Sequence, residues 1–463
     1  MTAVHVLAML PEALVFAGAL TVLIVGSYLP RRRLWWTRVI AVAALIGALI
    51  AGAVQMAGSD SAAFAGTFVV DSVTGVVRVI APVATALVIL VAGEEISGSA
   101  RESESYALLL SATAGVLVLS GAQDLLVLAV GYLLASIPLY ALIGMARSPA
   151  AAEAAMKTYL LGALSGILLL LGVTLLFGGT GTTAYGELRG LLGEIPAPIV
   201  VAGSVGVVAG LLFKAGGVPL HFWVPDAAQG AQGFVAMFVT TVPKIGAVIA
   251  LYRLVEILPG GLAWPGLIGG IAVASMTLGN LAAFWQDDPR RLLGWSTVSQ
   301  VGFLLVPVAA AGRSDLALPA MLFYLAGYTV TNIAAFAVTT AVPDARELSA
   351  YRGIGRTQPW LTGALIVALL GLLGTPPLAL FVGKLTTASA AWEAGAAWLA
   401  IAVFVNTLLS LFYYLRWIVP CLQPSVGMEC AAPQYVSARV AVVAAGSSVA
   451  MGVAAGLVFG MVG

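Results

Sequence analysis

Three lysines, Lys214, Lys244 and Lys384, stand inside long apolar stretches of this chain. A charged side chain at the centre of a membrane-spanning helix costs at least about 2.5–3.5 kcal/mol, so such residues are functional candidates by default. Burial disfavours the ammonium form of a lysine, which lets it gain and lose protons near neutral pH. The chemistry this pattern suggests is a proton relay. The other readings of each lysine are a buried ion pair or a side chain that snorkels to the interface, and few carboxylates lie in the apolar stretches to pair with them. His221 lies two helical turns past Lys214. It could pass protons between Lys214 and Lys244 through water, or it could simply be hydrogen-bonded in place.

The remaining polar residues read as structural. Asp124 and Glu104 fall at the ends of apolar stretches, where water still solvates a carboxylate. Asp287, Asp288, Arg290 and Arg291 surround Pro289 and are expected to form a solvated turn with local ion pairs. Tyr413, Tyr414 and Arg416 have the character of interface anchors. Cys421 and Cys430 have neither the spacing nor the ligand count of a metal site, and a disulfide between them would close a short loop. The chain shows no phosphate loop, dinucleotide fingerprint, zinc spacing or nucleophile triad, so no cofactor or metal is expected to bind to it. Net charge is +1, with no charge run that would suggest nucleic acid.

The elements that position the lysines follow from composition. The chain is 61% hydrophobic and only 9% charged, where soluble domains carry about 25% charged residues. In hydrocarbon every backbone polar group must be paired internally, which leaves helices or closed barrels. The apolar stretches run to about 20 residues without alternation, the length of a membrane-crossing helix. The sequence predicts an all-α membrane protein with about fourteen transmembrane helices and no soluble domain. They begin at roughly 7–29, 38–56, 72–92, 106–122, 125–146 and 154–177, continue at roughly 198–214, 235–257, 265–285, 292–311 and 316–342, and end at roughly 359–390, 397–419 and 438–461. The first stretch has no basic leader or cleavage site and is expected to be a permanent helix.

Alternate connections hold most of the arginines: Arg31, Arg32, Arg33 and Arg38, then Arg101, Arg147, Arg290 and Arg291, then Arg346, Arg352, Arg356, Arg416 and Arg439, with Lys157. The opposite side has Arg78, Arg189, Arg253 and Arg313. The positive-inside rule then puts both termini outside the cytoplasm. Two stretches are interrupted by glycine and proline, around Gly216-Gly217-Val218-Pro219 in the seventh and Gly374-Thr375-Pro376-Pro377 in the twelfth. Paired broken helices at matching places point to internal repeats with a transport site between them.

These features together resemble the antiporter-like membrane subunits of respiratory complex I and of multi-subunit cation/proton antiporters. The matching stretches are Ala151–Gly162 (AAEAAMKTYLLG), Lys214–Lys244 (KAGGVPLHFWVPDAAQGAQGFVAMFVTTVPK), Asn280–Gly302 and Gly374–Lys384 (GTPPLALFVGK), and the likeness runs from about Tyr106 to Arg416. The resemblance implies two inverted five-helix repeats, over 106–257 and 262–419, after three N-terminal helices in 1–105 and before a last helix in 437–463. It also implies a central axis of protons relayed by Lys214, Lys244 and Lys384, with His221 beside them. Other membrane-arm subunits and the lipid bilayer would be its partners in an inner (plasma) membrane. Quinone, iron–sulfur clusters and flavin would belong to partner subunits, and none would be bound by this chain.

Two positions depart from the family pattern. Leu133 stands where relatives place a glutamate that pairs with the seventh-helix lysine, and Gln300 stands where relatives often carry histidine. A glutamate at position 133 is expected to fall within reach of Lys214, and Lys157 is a candidate to contribute in its place. Three functions stay open at this point: a proton-translocating subunit of a complex I-like quinone oxidoreductase, a subunit of a cation/proton antiporter, and a scaffold that kept the fold and lost transport.

Overall fold

A computed structural model describes residues 7–424 and 433–462. Among them, thirteen helices are long and apolar enough to cross a membrane, and a broken helix completes fourteen passages. The first six are α1 (Leu10–Tyr28), α2 (Trp35–Met56), α3 (Ser72–Glu95), α4 (Glu102–Gly121), α5 (Leu125–Gly144) and α6 (Pro149–Thr180). The seventh is split into α7a (Ala197–Ala215) and α7b (Trp223–Gly230), followed by α8 (Gly233–Ile257), α9 (Trp264–Ala283), α10 (Pro289–Ala309) and α11 (Ala317–Ala341). The twelfth is split into α12a (Pro359–Leu373) and α12b (Ala379–Glu393), and α13 (Ala397–Leu422) and α14 (Tyr435–Val453) close the bundle. Cys430 lies outside the described residues; Cys421 is buried, its thiol donating to the Trp417 carbonyl at 3.2 Å.

Local chemistry sets the helix starts. Asp71, Asp124, Ser148 and Asp288 are N-caps whose side chains accept backbone N–H groups of the first turns of α3, α5, α6 and α10, satisfying donors that a helix start leaves unpaired. The C-terminal end of α3 serves two other helices. The Glu95 carboxylate accepts the N–H groups of Gly233 and Phe234 at the start of α8, and Glu94 accepts those of Val436 and Ser437 at the start of α14. Each pairs a negative charge with the positive end of a helix dipole. A short hairpin between α2 and α3, β1 (Ser61–Ala63) with β2 (Phe68–Val70), is the sole β-sheet among the described residues; the apolar pattern gave no sign of it.

The lipid-facing helices carry their large apolar residues outward, as on α6 with Tyr159, Leu160, Ile167 and Leu171. By contrast α8 is buried along its whole length except at Glu256, so it is the central post. Its Arg253 is held by Asp71 at 2.8 Å and by the Ser120 carbonyl at 2.7 Å. The first three helices have their own polar centre. Arg78 of α3 is fully enclosed and bonds Glu12 of α1 at 2.8 and 2.9 Å, Gln55 of α2 at 2.6 Å and the Ala8 carbonyl at 2.8 Å. Both Arg78 and Arg253 fall among the loop arginines of the sequence pattern, yet both are buried inside the bundle.

Backbone meets backbone between α9 and α10. A Cβ at Gly279 would stand 2.5 Å from the Ser299 nitrogen, and main chain cannot rotate away as a flexible side chain can. Overpacking costs about 1–3 kcal/mol and occasionally more. Gly279→Leu is therefore expected to lower the melting temperature of the purified protein clearly; a parental melting curve would mean that α9 and α10 pack more loosely than described.

Candidate proton-relay site

Both breaks are built alike. α7a ends at Gly216, with φ 84°, whose N–H donates to the carbonyls of Leu212 and Phe213. α12a ends at Gly374, with φ 88°, whose N–H donates to those of Leu370 and Gly371. A left-handed residue after the last turn is a position for glycine, since a Cβ there is strained. The chain then crosses Val218-Pro219 or Pro376-Pro377 before the second half-helix starts.

All three lysines stand at or beside these interruptions, and each is at most 3% exposed. Lys214 is the next-to-last residue of α7a; its ammonium bonds the Ser136 hydroxyl of α5 and lies 5.0 Å from the centre of the Tyr132 ring. Lys244 sits in the middle of α8, directly after Pro243. Proline has no N–H, so the carbonyl one turn back loses its helical donor. That carbonyl belongs to Val239, and Lys244 Nζ donates to it at 3.1 Å while lying 5.5 Å from the Trp223 ring. Lys384, on α12b, donates to the Leu372 and Leu373 carbonyls at 3.1 and 2.9 Å, with its Nζ 4.1 Å from the Phe303 ring centre. These are terminal carbonyls of α12a, which a helix end leaves unpaired, at the negative end of its dipole.

The partners are thus hydroxyl, carbonyl and ring faces. Among the described residues no carboxylate lies within ion-pair distance of any of the three lysines. The ion-pair alternative is set aside for all three, and so is snorkelling, since none reaches the surface.

Neutral polar groups fill the space between Lys384 and Lys244. Gln300 of α10 donates to the same Leu372 carbonyl at 3.0 Å, and the Tyr324 hydroxyl of α11 donates to Gln300 at 2.6 Å. One turn further along α11, Tyr328 donates to the Thr240 carbonyl of α8 at 2.7 Å and stands 3.3 Å from Thr297 Oγ1. Asn332 in turn donates to Thr240 and Thr241 at 3.0 and 2.8 Å. A hydroxyl both donates and accepts, so these groups suit a path for protons as well as a packed core. Gln300 takes up the place between Lys384 and Tyr324. The tyrosines carry no sequence signal beyond apolar context.

His221 is placed at the break, 2% exposed, with its ring against Trp295 at 5.4 Å. Its ring nitrogens meet no side-chain partner, and the Pro219 backbone lies beside the ring. Leu133 is 40% exposed on the outer side of α5, and the positions that meet Lys214 are Tyr132 and Ser136. Lys157 lies away from the axis, paired with Glu153 and Asp226.

Two further expectations are corrected. Tyr413 and Tyr414 are fully buried and do not anchor the interface. Tyr414 shares a 2.6 Å hydrogen bond with Ser296, and Tyr413 donates to Asn280, whose amide also bonds Ser299 and Asn406. The turn around Pro289 is not a solvated loop with local pairs: Arg290 is buried with a bond to the Ala231 carbonyl, Arg291 reaches Asp226, and Asp287 is bound by Arg416. The tyrosines are covered by α9 and α10, while Arg290 and Arg291 turn toward α7b and the residue that follows it.

Broken helices with lysines at the breaks, inside a fourteen-pass bundle, define an antiporter-like membrane subunit, and the chain belongs to that family. The profile described as NADH:quinone oxidoreductase/Mrp antiporter, TM, matches residues 122–410. Within the family the likeness over the whole length is to subunit N of NADH-quinone oxidoreductase. The chain is 60% identical to that subunit of Mycobacterium sp. (strain JLS), over 99% of both chains, and 45% identical to subunit N 1 of Streptomyces griseus, over 98% of this chain and 97% of the other. A chain of respiratory complex I from Thermus thermophilus superposes with a TM-score of 0.84 at 30% identity, over 97% of this chain and 98% of that one. A chain of the Mrp complex from a Dietzia species gives 0.88 at 22% identity, over 100% and 96%, a likeness of fold.

Proposed function

We propose that this chain is a proton-translocating membrane-arm subunit of a NADH-quinone oxidoreductase, in which Lys214, Lys244 and Lys384 hand protons along the centre of the bundle with His221 beside them. The observation that carries this reading is the state of the lysines: three enclosed ammonium groups, two beside the helix breaks and one directly after a helix proline, each held only by neutral groups. A protein that used them only for packing would be served as well or better by apolar residues of similar size. Electron transfer belongs, in this reading, to partner subunits that hold quinone, iron–sulfur clusters and flavin, and this chain contributes no redox centre. The repeats would run over 106–257 and 262–419, and the arginine-rich face would be cytoplasmic, with both termini on the other side. The similar construction of the two breaks supports the repeat.

In the place of the family's fifth-helix carboxylate, Ser136 and Tyr132 would hold the Lys214 ammonium. A hydrogen bond to a charged group contributes about 1.5–3 kcal/mol. Ser136→Ala is therefore expected to slow NADH-driven proton uptake by sealed membrane vesicles while the complex still assembles, and Ser136→Thr is expected to restore it. Parental uptake by the alanine variant would remove Ser136 from the relay and favour the reading of this half of the subunit as a scaffold.

A further inference from the structure

Away from the lysine axis, ion pairs from two helices converge on Asp226 of α7b. One carboxylate oxygen accepts from Arg291 Nη1 of α10 at 2.6 Å, the other from Lys157 Nζ of α6 at 2.8 Å. Arg291 also donates to Gln229 of the same half-helix at 2.9 Å, and Lys157 also meets Glu153 at 2.6 Å. The Asp226 side chain is 16% exposed, against 45% and 32% for its two cations. The carboxylate is thus the enclosed member, and the cations close over it from both sides.

The half-helix that bears it cannot hold itself. α7b has eight residues, well below the length at which an isolated helix is stable. Its place is set by neighbours on both sides. A Cβ at Gly230 would come within 2.7 Å of the Ala150 carbonyl of α6, and one at Gly294 of α10 within 2.7 Å of the Pro225 Cα. At its first residue, one turn before Asp226, Trp223 donates to the Phe213 carbonyl at 3.0 Å, next to Lys214, and offers its ring to Lys244. One short element therefore carries the anchor and, one turn before it, the ring that meets Lys244 and bonds the backbone next to Lys214.

We infer that Asp226 is a positioning residue for Lys214 and Lys244: clamped by Lys157 and Arg291, it fixes α7b and through Trp223 sets where the two ammonium groups lie. Its cations come from helices on either side of α7b, in the first and second groups of five, so a shift between the groups strains this clamp directly. The inference rests on the relay reading above. Removing the carboxylate leaves Lys157 with Glu153 alone and Arg291 with the neutral Gln229, so no charge then ties α6 and α10 to α7b.

The test is NADH-driven proton uptake by sealed membrane vesicles holding the whole complex, with NADH oxidation measured on the same preparation. Asp226→Asn is expected to lower uptake per NADH oxidised by about twofold or more, within the range that coupled neighbours give, and Asp226→Glu is expected to restore most of it. The pair Lys157→Met with Arg291→Gln is expected to reproduce the loss, and adding Asp226→Asn to that pair is expected to cost nothing further. Parental uptake in Asp226→Asn overturns the role. Should that variant fail to assemble, parental uptake by the Lys157 and Arg291 double variant overturns it instead. Lys244→Ala separates the two readings: parental uptake there removes the relay itself, whereas loss there with parental uptake in Asp226→Asn removes only the positioning role.

Discussion

Lys244→Ala is expected to lower the rate of NADH-driven proton uptake by about fivefold, a change of about 1 kcal/mol in the transfer barrier, in a complex that still assembles. Lys244 is the lysine between the other two in the proposed path: it stands across the α7 break from Lys214, and the Tyr328 and Tyr324 groups lead from its helix toward Lys384. Its removal leaves no buried charge without a partner, because it has no carboxylate to abandon. What it does leave is the Val239 carbonyl, which Pro243 cannot bond, at a cost of about 1–3 kcal/mol for one unsatisfied buried acceptor. The folded protein therefore survives and the path does not. Uptake assays on intact complex, with assembly checked by native electrophoresis, separate the two; unchanged uptake would take Lys244 out of the relay.

The largest effect on stability is expected at the other end of the chain. Glu12→Gln leaves the Arg78 guanidinium enclosed with its ion partner gone, and breaking a buried pair from one side costs about 3–5 kcal/mol. The remaining bonds from Gln55 and the Ala8 carbonyl are neutral and do not compensate the charge. Joining Glu12→Gln with Arg78→Met removes both charges and is expected to recover most of the loss, since an apolar replacement of a buried pair is often neutral. Thermal melting of the detergent-extracted protein reads both variants. A single variant that melts like the parent would mean that water reaches the pair.

Much of this was legible in the sequence, for stated reasons. Apolar stretches of membrane length announced the passages, and glycine beside proline at 216–219 and 374–377 announced the breaks, because those residue types act through local backbone geometry. The three lysines were visible because charge is costly in hydrocarbon wherever it falls. What stayed hidden depended on which helix lies against which. Arg78 and Arg253 look like loop arginines until Glu12 and Asp71 are brought beside them by α1 and α3. Tyr413 and Tyr414 look like interface residues until α9 and α10 cover them. Asp226 carries no sign that cations 69 and 65 positions away will share it. Leu133 marks the departure from the family at the right helix, but the contact to Lys214 falls on its neighbours, which only the rotation of α5 decides.

The measurement that bears most directly on the relay is the number of protons taken up per NADH oxidised by sealed vesicles whose complex carries Lys384→Met. Methionine keeps the length and the apolar packing of the side chain and withdraws only the ammonium from the Leu372 and Leu373 carbonyls. The expected result is a lower ratio than in the parent, with the complex intact. A parental ratio would contradict the account and leave these lysines as parts of a scaffold.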